Sequence, residues 1–158
     1  VDRYQWLLVF HVTGAFMVLG GATMAGIFNI AALRRERPSE IVVLFRLTRF
    51  AVTSITVGMV VALVFGLWLV ADLEFVKWSN TWVIVALVLW VVANALGGAG
   101  GRRDKLTREL AEQLAAKGDQ PSAELRARLR DPVTLVLSWG SGVVVVAILA
   151  LMIWKPGA

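Results

Sequence analysis

The sequence predicts an all-α polytopic membrane protein, a bundle of four transmembrane helices with both termini outside. Three observations predict it. The chain of 158 residues is 58% hydrophobic with a mean hydropathy of +0.74, above the ~45–50% apolar share of a soluble domain. The excess falls in four blocks without Asp, Glu, Lys or Arg: 4–33, 50–71, 78–101 and 132–154. Each exceeds the ~18 apolar residues that mark a spanning helix, and none alternates as a barrel strand would. The basic residues are also partitioned. Thirteen of the sixteen Lys and Arg lie in 34–49 and 102–131, leaving Arg3, Lys77 and Lys155. Since cytoplasmic loops carry the excess of Lys and Arg, both basic connections are expected in the cytoplasm, and the protein in the plasma (inner) membrane.

The first span is expected over about 5–33, with Tyr4 and Trp6 at headgroup level. It is too long for a signal peptide, and its arginines follow rather than precede it. After the basic turn at 34–38, a helical segment starts with Ser39 as N-cap. Arg46 and Arg49 snorkel to the surface, and the second span runs over about 50–71. A polar link follows with Asp72, Glu74, Lys77, Ser79 and Asn80. The third span, about 82–99, is expected to end in the glycine run 97–101, which disfavours helix. Residues 102–131 form the cytoplasmic helical loop. Leu106, Leu110 and Leu114 recur every four residues and predict an amphipathic helix over 104–117. Gly118 stops it, and Pro121-Ser122 starts a shorter helix through Leu125 and Leu129. Asp131-Pro132 reads as N-cap and first turn of the last span, about 133–154. All of 1–158 is expected to form one transmembrane domain. Pro38, Pro121, Pro132 and Pro156 lie at or beyond span ends, so no kinked transport helix is expected. Trp6, Trp68, Trp78, Trp82 and Trp154 fall at the outer ends, in agreement with the basic residues.

Lipid is as apolar as leucine, so small residues that let backbones approach are expected to set the helix contacts. They are Gly14, Ala22 and Gly26 on the first span, Gly58, Ala62 and Gly66 on the second, and Gly142, four after Ser138, on the fourth.

The charge of +5 and pI of 10.4 do not point to nucleic acid, because the basic residues flank spans. The chain has no cysteine, which removes disulfides and thiolate chemistry. It shows no nucleophile–base pair, no phosphate-binding loop, no intramembrane carboxylate pair and no metal-ligand spacing, which disfavours a hydrolase or an ATP-driven pump. The one histidine, His11, stands out. At 1.5 Å per residue it lies ~10 Å below Tyr4, on a face shared with Gly14, Ala15, Val18 and Ala22. An ionisable side chain in hydrocarbon is costly and by default marks function. Its imidazole could ligate haem iron, with haem b as the cofactor. It could instead relay protons or bind a polar ligand, or bond a backbone carbonyl, Thr13 or Ser141. With no second histidine, an intramolecular haem partner would be a methionine, Met59 or Met152 ahead of Met17 and Met24. Asn29 and Asn94 are expected to bond between helices. Thr53, Ser54 and Thr56 are expected to bond back to the preceding turn.

The stretch LLVFHVTGAFMVLGG, with His11 nine residues before Gly20-Gly21, resembles a bacterial family of predicted integral membrane proteins of unknown function. So does Leu151-Met152-Ile153-Trp154-Lys155-Pro156. That family is distantly similar to copper-resistance protein D and to the haem-associated four-helix protoporphyrinogen oxidases, which share a first-span histidine ahead of glycines. The resemblance implies His11 as the haem-linked residue. Val18 or Leu19 stands where that pattern has tryptophan, and no charged residue inside a span matches the oxidases' lysine. Three roles follow: an accessory or ligand-binding membrane protein, a haem-binding membrane oxidoreductase with His11 as axial ligand, or a structural subunit of a homo-oligomer or larger complex. The lipid bilayer is the expected partner in all three.

Overall fold

The computed structural model describes residues 2–73 and 78–155. Glu74, Lys77 and Pro156, which the sequence puts at span ends, lie outside them. The described residues form five helices and no strand: α1 Arg3–Leu33, α2 Pro38–Asp72, α3 Thr81–Ala116, α4 Ala123–Leu129 and α5 Pro132–Trp154. α1, α2, α3 and the helical stretch ending in α5 are long and apolar enough to cross a membrane. The closest pairs are α1 with α2 and α3 with α5. α2 against α3 joins the pairs, while α1 and α5 barely touch.

Three apolar clusters stack along the bundle. Val70, Trp82 and Val83 hold the end that carries the termini. Val18, Met59 and Ala93 sit midway. Ala32, Ile41, Val42, Phe45, Ala111 and Leu125 close the loop end. At the terminal end Arg3 pairs with Asp72 at 3.1 Å and lies over the Trp68 ring, while Lys155 lies over Trp82. Trp82, the second residue of α3, is buried among Val70 and Val83 at this end.

Five sequence expectations are corrected. α3 does not end at the glycines but runs unbroken through 97–101 to Ala116. A helical glycine costs about 1 kcal/mol, and close packing offsets it. A Cβ on Gly97 would sit 3.4 Å from Ser141 Oγ, and one on Gly100 3.5 Å from Ser138 Oγ. In hydrocarbon, breaking the helix would also strand backbone groups without partners.

Of the leucines expected to form the stripe over 104–117, Leu110 and Leu114 pack against the loop-end cluster, but Leu106 does not. Thr107 and Ala111 are the buried positions, while Leu106 is 54% exposed. Ala86, Ala93, Gly100 and Thr107 lie seven apart on the buried side. This small-residue phase, inherited from the membrane part of α3, places Leu110 and Leu114 beside the buried pair and leaves Leu106 outside it.

The N-cap of α2 is Arg37, not Ser39, with Pro38 as the first helical residue and no cap bond from Arg37 itself. Asp119, 80 residues away in the α3–α4 turn, supplies it. Its carboxylate accepts from Ser39 N–H at 2.7 Å and from Ser39 Oγ at 2.6 Å. Gly118 and Asp119 make this turn with φ of +112° and +55°, where glycine is the least strained residue.

Finally, Asn94 bonds back to Trp90 O at 2.8 Å rather than across helices, and Ser54 crosses to Met17 O at 3.2 Å. Thr53 and Thr56 do bond back within α2. Ser122 and Asp131 cap α4 and α5 through bonds from Leu125 N–H and Thr134 N–H.

The Asp119 latch has a pH signature. The Ser39 hydroxyl, then the Ser39 N–H, hold its carboxyl below the usual 3.8. A depressed folded pKa stabilises the fold above the unfolded value and loses that contribution as pH falls through the folded one. Acid below about 3.8 is therefore expected to release the α3–α4 turn from α2. A Ser39 amide ¹⁵N shift that titrates in this range, and is already displaced in Asp119→Ala, is the expected observation. A Ser39 amide indifferent to both would refute the latch.

Candidate functional site

His11 stands in the third turn of α1, against α2. Its Nδ1–H donates to the carbonyl oxygen of Ala62 at 2.7 Å. Of the partners open to it from sequence, the backbone carbonyl is the one used. Ser141 bonds Ala93 O on α3 at 3.2 Å instead.

The imidazole fits there because residue 66 has no side chain. A Cβ on Gly66 would lie 2.9 Å from both Cε1 and Nδ1 of the ring. One turn deeper the two backbones meet. A Cβ on Gly14 would come within 2.6 Å of Ala62 N and 2.8 Å of Gly58 O. One on Gly58 would come within 2.6 Å of Gly14 O. Gly14, Gly58, Ala62 and Gly66 thus form one seam with His11 at its upper edge. Towards the termini, four aromatic rings continue along that seam in the order Trp6, Phe10, Phe65 and Trp68. Successive centroids are 6.1, 4.7 and 6.4 Å apart.

The other residues singled out from sequence are placed elsewhere. Met59 is buried with Val18 and Ala93 midway down the bundle, and Met152 is half-buried near the end of α5. The described contacts of the His11 ring run to Ala62 and Gly66, not to either sulfur. Ala22 is half-buried. A Cβ on Gly26 would meet only the Trp139 ring, at 3.9 Å, and nothing lies within 4 Å of a Cβ on Gly142. Among the described residues no group of three or more His, Cys, Asp and Glu side chains could hold a metal ion.

A second polar site lies at the loop end, and sequence reasoning missed it. A small cavity of about 30 Å³ is lined by Asn29 of α1, Asp104 and Thr107 of α3, Arg128 of α4, and Thr134 and Ser138 of α5, among apolar neighbours. Burial pushes the Asp104 carboxyl from 3.8 up to about 6. A signal was present in the sequence. Asp104 falls on the face of Gly100, Thr107 and Ala111, so it is an acid on a small-residue stripe. The leucine spacing alone did not single it out.

A wider groove of about 730 Å³ opens between the α1–α2 and α3–α4 turns. Its charges are largely committed: Arg35 to Glu40, Glu36 to Arg126, and Asp119 to Ser39.

A family model described as "Predicted integral membrane protein (DUF2269)" matches residues 5–156. No curated protein and no solved structure matches the chain.

Proposed function

The chain belongs to the DUF2269 family of predicted integral membrane proteins, and from that premise we propose that it acts as a small accessory, ligand-binding protein of the plasma membrane, with His11 as the binding group. The observation that carries this reading is the bond from His11 Nδ1–H to Ala62 O at 2.7 Å. Ligating histidines characteristically donate their other ring N–H to a carbonyl or carboxylate, which fixes tautomer and orientation. Nε2 is left with its lone pair, and no described residue bonds it. The multi-pass chain sits in the bilayer. The thirteen cations of 34–49 and 102–131 support an orientation with those segments in the cytoplasm.

The same bond supports a second reading, a haem-binding membrane oxidoreductase with His11 as axial ligand. The residues fit a haem only in part. Nε2 is suited to iron, but the α1–α2 seam beside it is closed by backbone contact, and neither methionine is brought to it. A haem would be held by His11 Nε2 as axial ligand and would supply one-electron chemistry there. A structural subunit is the third reading, supported by α5, which buries none of its residues and exposes Val136, Trp139, Val143 and Val146.

One histidine makes the test clean. In ¹⁵N-histidine-labelled protein, the ring is expected as the Nδ1–H tautomer, the reverse of free histidine. The Nε2 resonance of protein isolated from its own membrane is expected to differ from that of protein relipidated in synthetic lipid. An Nε2–H tautomer, or identical spectra, would sink the ligand reading. A visible Soret band that shifts on reduction and disappears in His11→Ala would favour the haem reading instead. The variant is expected to remain folded, since an interhelical hydrogen bond in a membrane protein contributes only about 0.6 kcal/mol on average.

A further inference from the structure

We propose that Asp104 is a proton-binding site: its carboxylate takes up one proton from the loop-end solution and releases it again, and its charge decides whether Arg128 of α4 turns outward to Glu124 or inward to Asp104. This does not depend on the role of His11, which lies towards the opposite end of the bundle.

The geometry begins with position. Asp104 follows the last apolar stretch of α3 by five residues, roughly 7 Å along the helix. It is half-buried where α1, α3, α4 and α5 converge. The cavity beside it, about 30 Å³, is about the volume of one water molecule. Its polar walls are unevenly committed. Thr107 already donates to Arg103 O, and Thr134 to the Asp131 carboxylate. Asn29, Ser138 and Asp104 itself make no hydrogen bond among the described residues. A neutral carboxyl suits this setting, with its O–H directed to the amide oxygen of Asn29 or the hydroxyl of Ser138, directly or through one water.

The charged groups around it are few. On α3, Arg103 is bonded to Asp131 at 2.7 Å, and Arg108, one turn beyond Asp104, is paired with Glu112 at 3.6 Å. From α4, Arg128 lines the cavity and is bonded to Glu124 at 3.2 Å. None of the residues that α1, α2 and α5 contribute to the cavity wall is titratable. No cation is paired with Asp104, so burial dominates and pushes its carboxyl up to about 6.

When the proton leaves, the carboxylate needs a counter-charge. Of the cations nearby, Arg128 is the one that lines the cavity. Its bond to Glu124 joins two exposed side chains, and solvent weakens such pairs strongly. Asp104⁻ therefore competes with Glu124⁻ for one guanidinium. Protonation removes the competitor and returns Arg128 to Glu124. Because Arg128 belongs to the seven-residue α4, a proton on α3 becomes a change in how a basic cytoplasmic-loop helix is held.

The test is infrared spectroscopy of the full chain in lipid nanodiscs across neutral and mildly acidic pH. The expected result is the carbonyl stretch of a protonated carboxylic acid that titrates with a midpoint near 6 and is lost in Asp104→Asn. In Asp104→Glu, a displaced band confirms the assignment should the asparagine variant fold poorly. Arg128→Gln is expected to raise the midpoint, because the cation favouring the ionised form has gone. Hydrogen exchange of α4, normalised to Asp104→Asn, is expected to change across the same midpoint. No titrating band, or one that survives in Asp104→Asn, overturns the proton site. A midpoint unmoved by Arg128→Gln overturns the coupling to α4.

Discussion

Replacing Gly58 with alanine is expected to force α1 and α2 apart and to cost the largest share of stability of any single methyl added to this chain. The new Cβ would lie 2.6 Å from Gly14 O, 2.8 Å from Met17 Cβ and 2.9 Å from Val18 N. Two of these obstacles are backbone atoms of a helix, which no rotamer change can clear. Overpacking costs typically ~1–3 kcal/mol, and a rigid backbone obstacle puts this site at the upper end or beyond. Gly14→Ala meets Ala62 N at 2.6 Å and should behave alike. Gly98→Ala and Gly142→Ala add the same methyl where nothing lies within 4 Å. They should be neutral or gain up to about 1 kcal/mol, since alanine is the better helix former. Unfolding in mixed detergent micelles separates the four. Equal midpoints for Gly58→Ala and Gly142→Ala would show that the helices do not cross this closely. Separation of α1 from α2 should also break the bond from His11 to Ala62, so the histidine ¹⁵N spectrum reports the same event.

Leu125→Ala is expected to release α4 from the bundle while leaving the four long helices in place. Leu125 is 2% exposed, in a cluster with Ala32, Ile41, Val42, Phe45 and Ala111. Truncating a leucine in such a core costs ~2–5 kcal/mol. A helix of seven residues cannot persist on its own, since isolated helices below ~12 residues are marginal in water. The loss should therefore be local, read as fast hydrogen exchange over 119–131 with slow exchange retained in α1 and α2. Leu106→Ala is the comparison. That leucine is 54% exposed, and surface substitutions usually stay within ~0.5 kcal/mol. Comparable effects from the two variants would refute the exposed placement of Leu106.

His11 shows how far the sequence reaches into the site. A lone polar side chain with Gly14 three residues on and Ala22 eleven on already turns towards a packing face, because helical periodicity is local. Its partner was not legible. A carbonyl acceptor such as Ala62 O carries no sequence mark, and only the register of α1 against α2 selects it. Asp104 is the opposite case. Its residue type was in plain view, but its burial depends on which side of α3 meets α2 and α5. Leu110 and Leu114 marked the packed side, and Leu106 lay off it. The small residues at 86, 93, 100 and 107 carried the right phase into the loop.

The all-α class, the four long apolar helices and the caps at Ser122 and Asp131 come from the order of residues along the chain. Each follows from local chemistry. A long uncharged apolar run must satisfy its own backbone in lipid, and a cap acts within one turn. Passage of α3 through four glycines, capping of α2 by Asp119, seating of His11 on Gly66 and burial of Asp104 follow from the packed bundle alone. Each depends on a group distant in sequence, and its energy exists only once two helices have met in register.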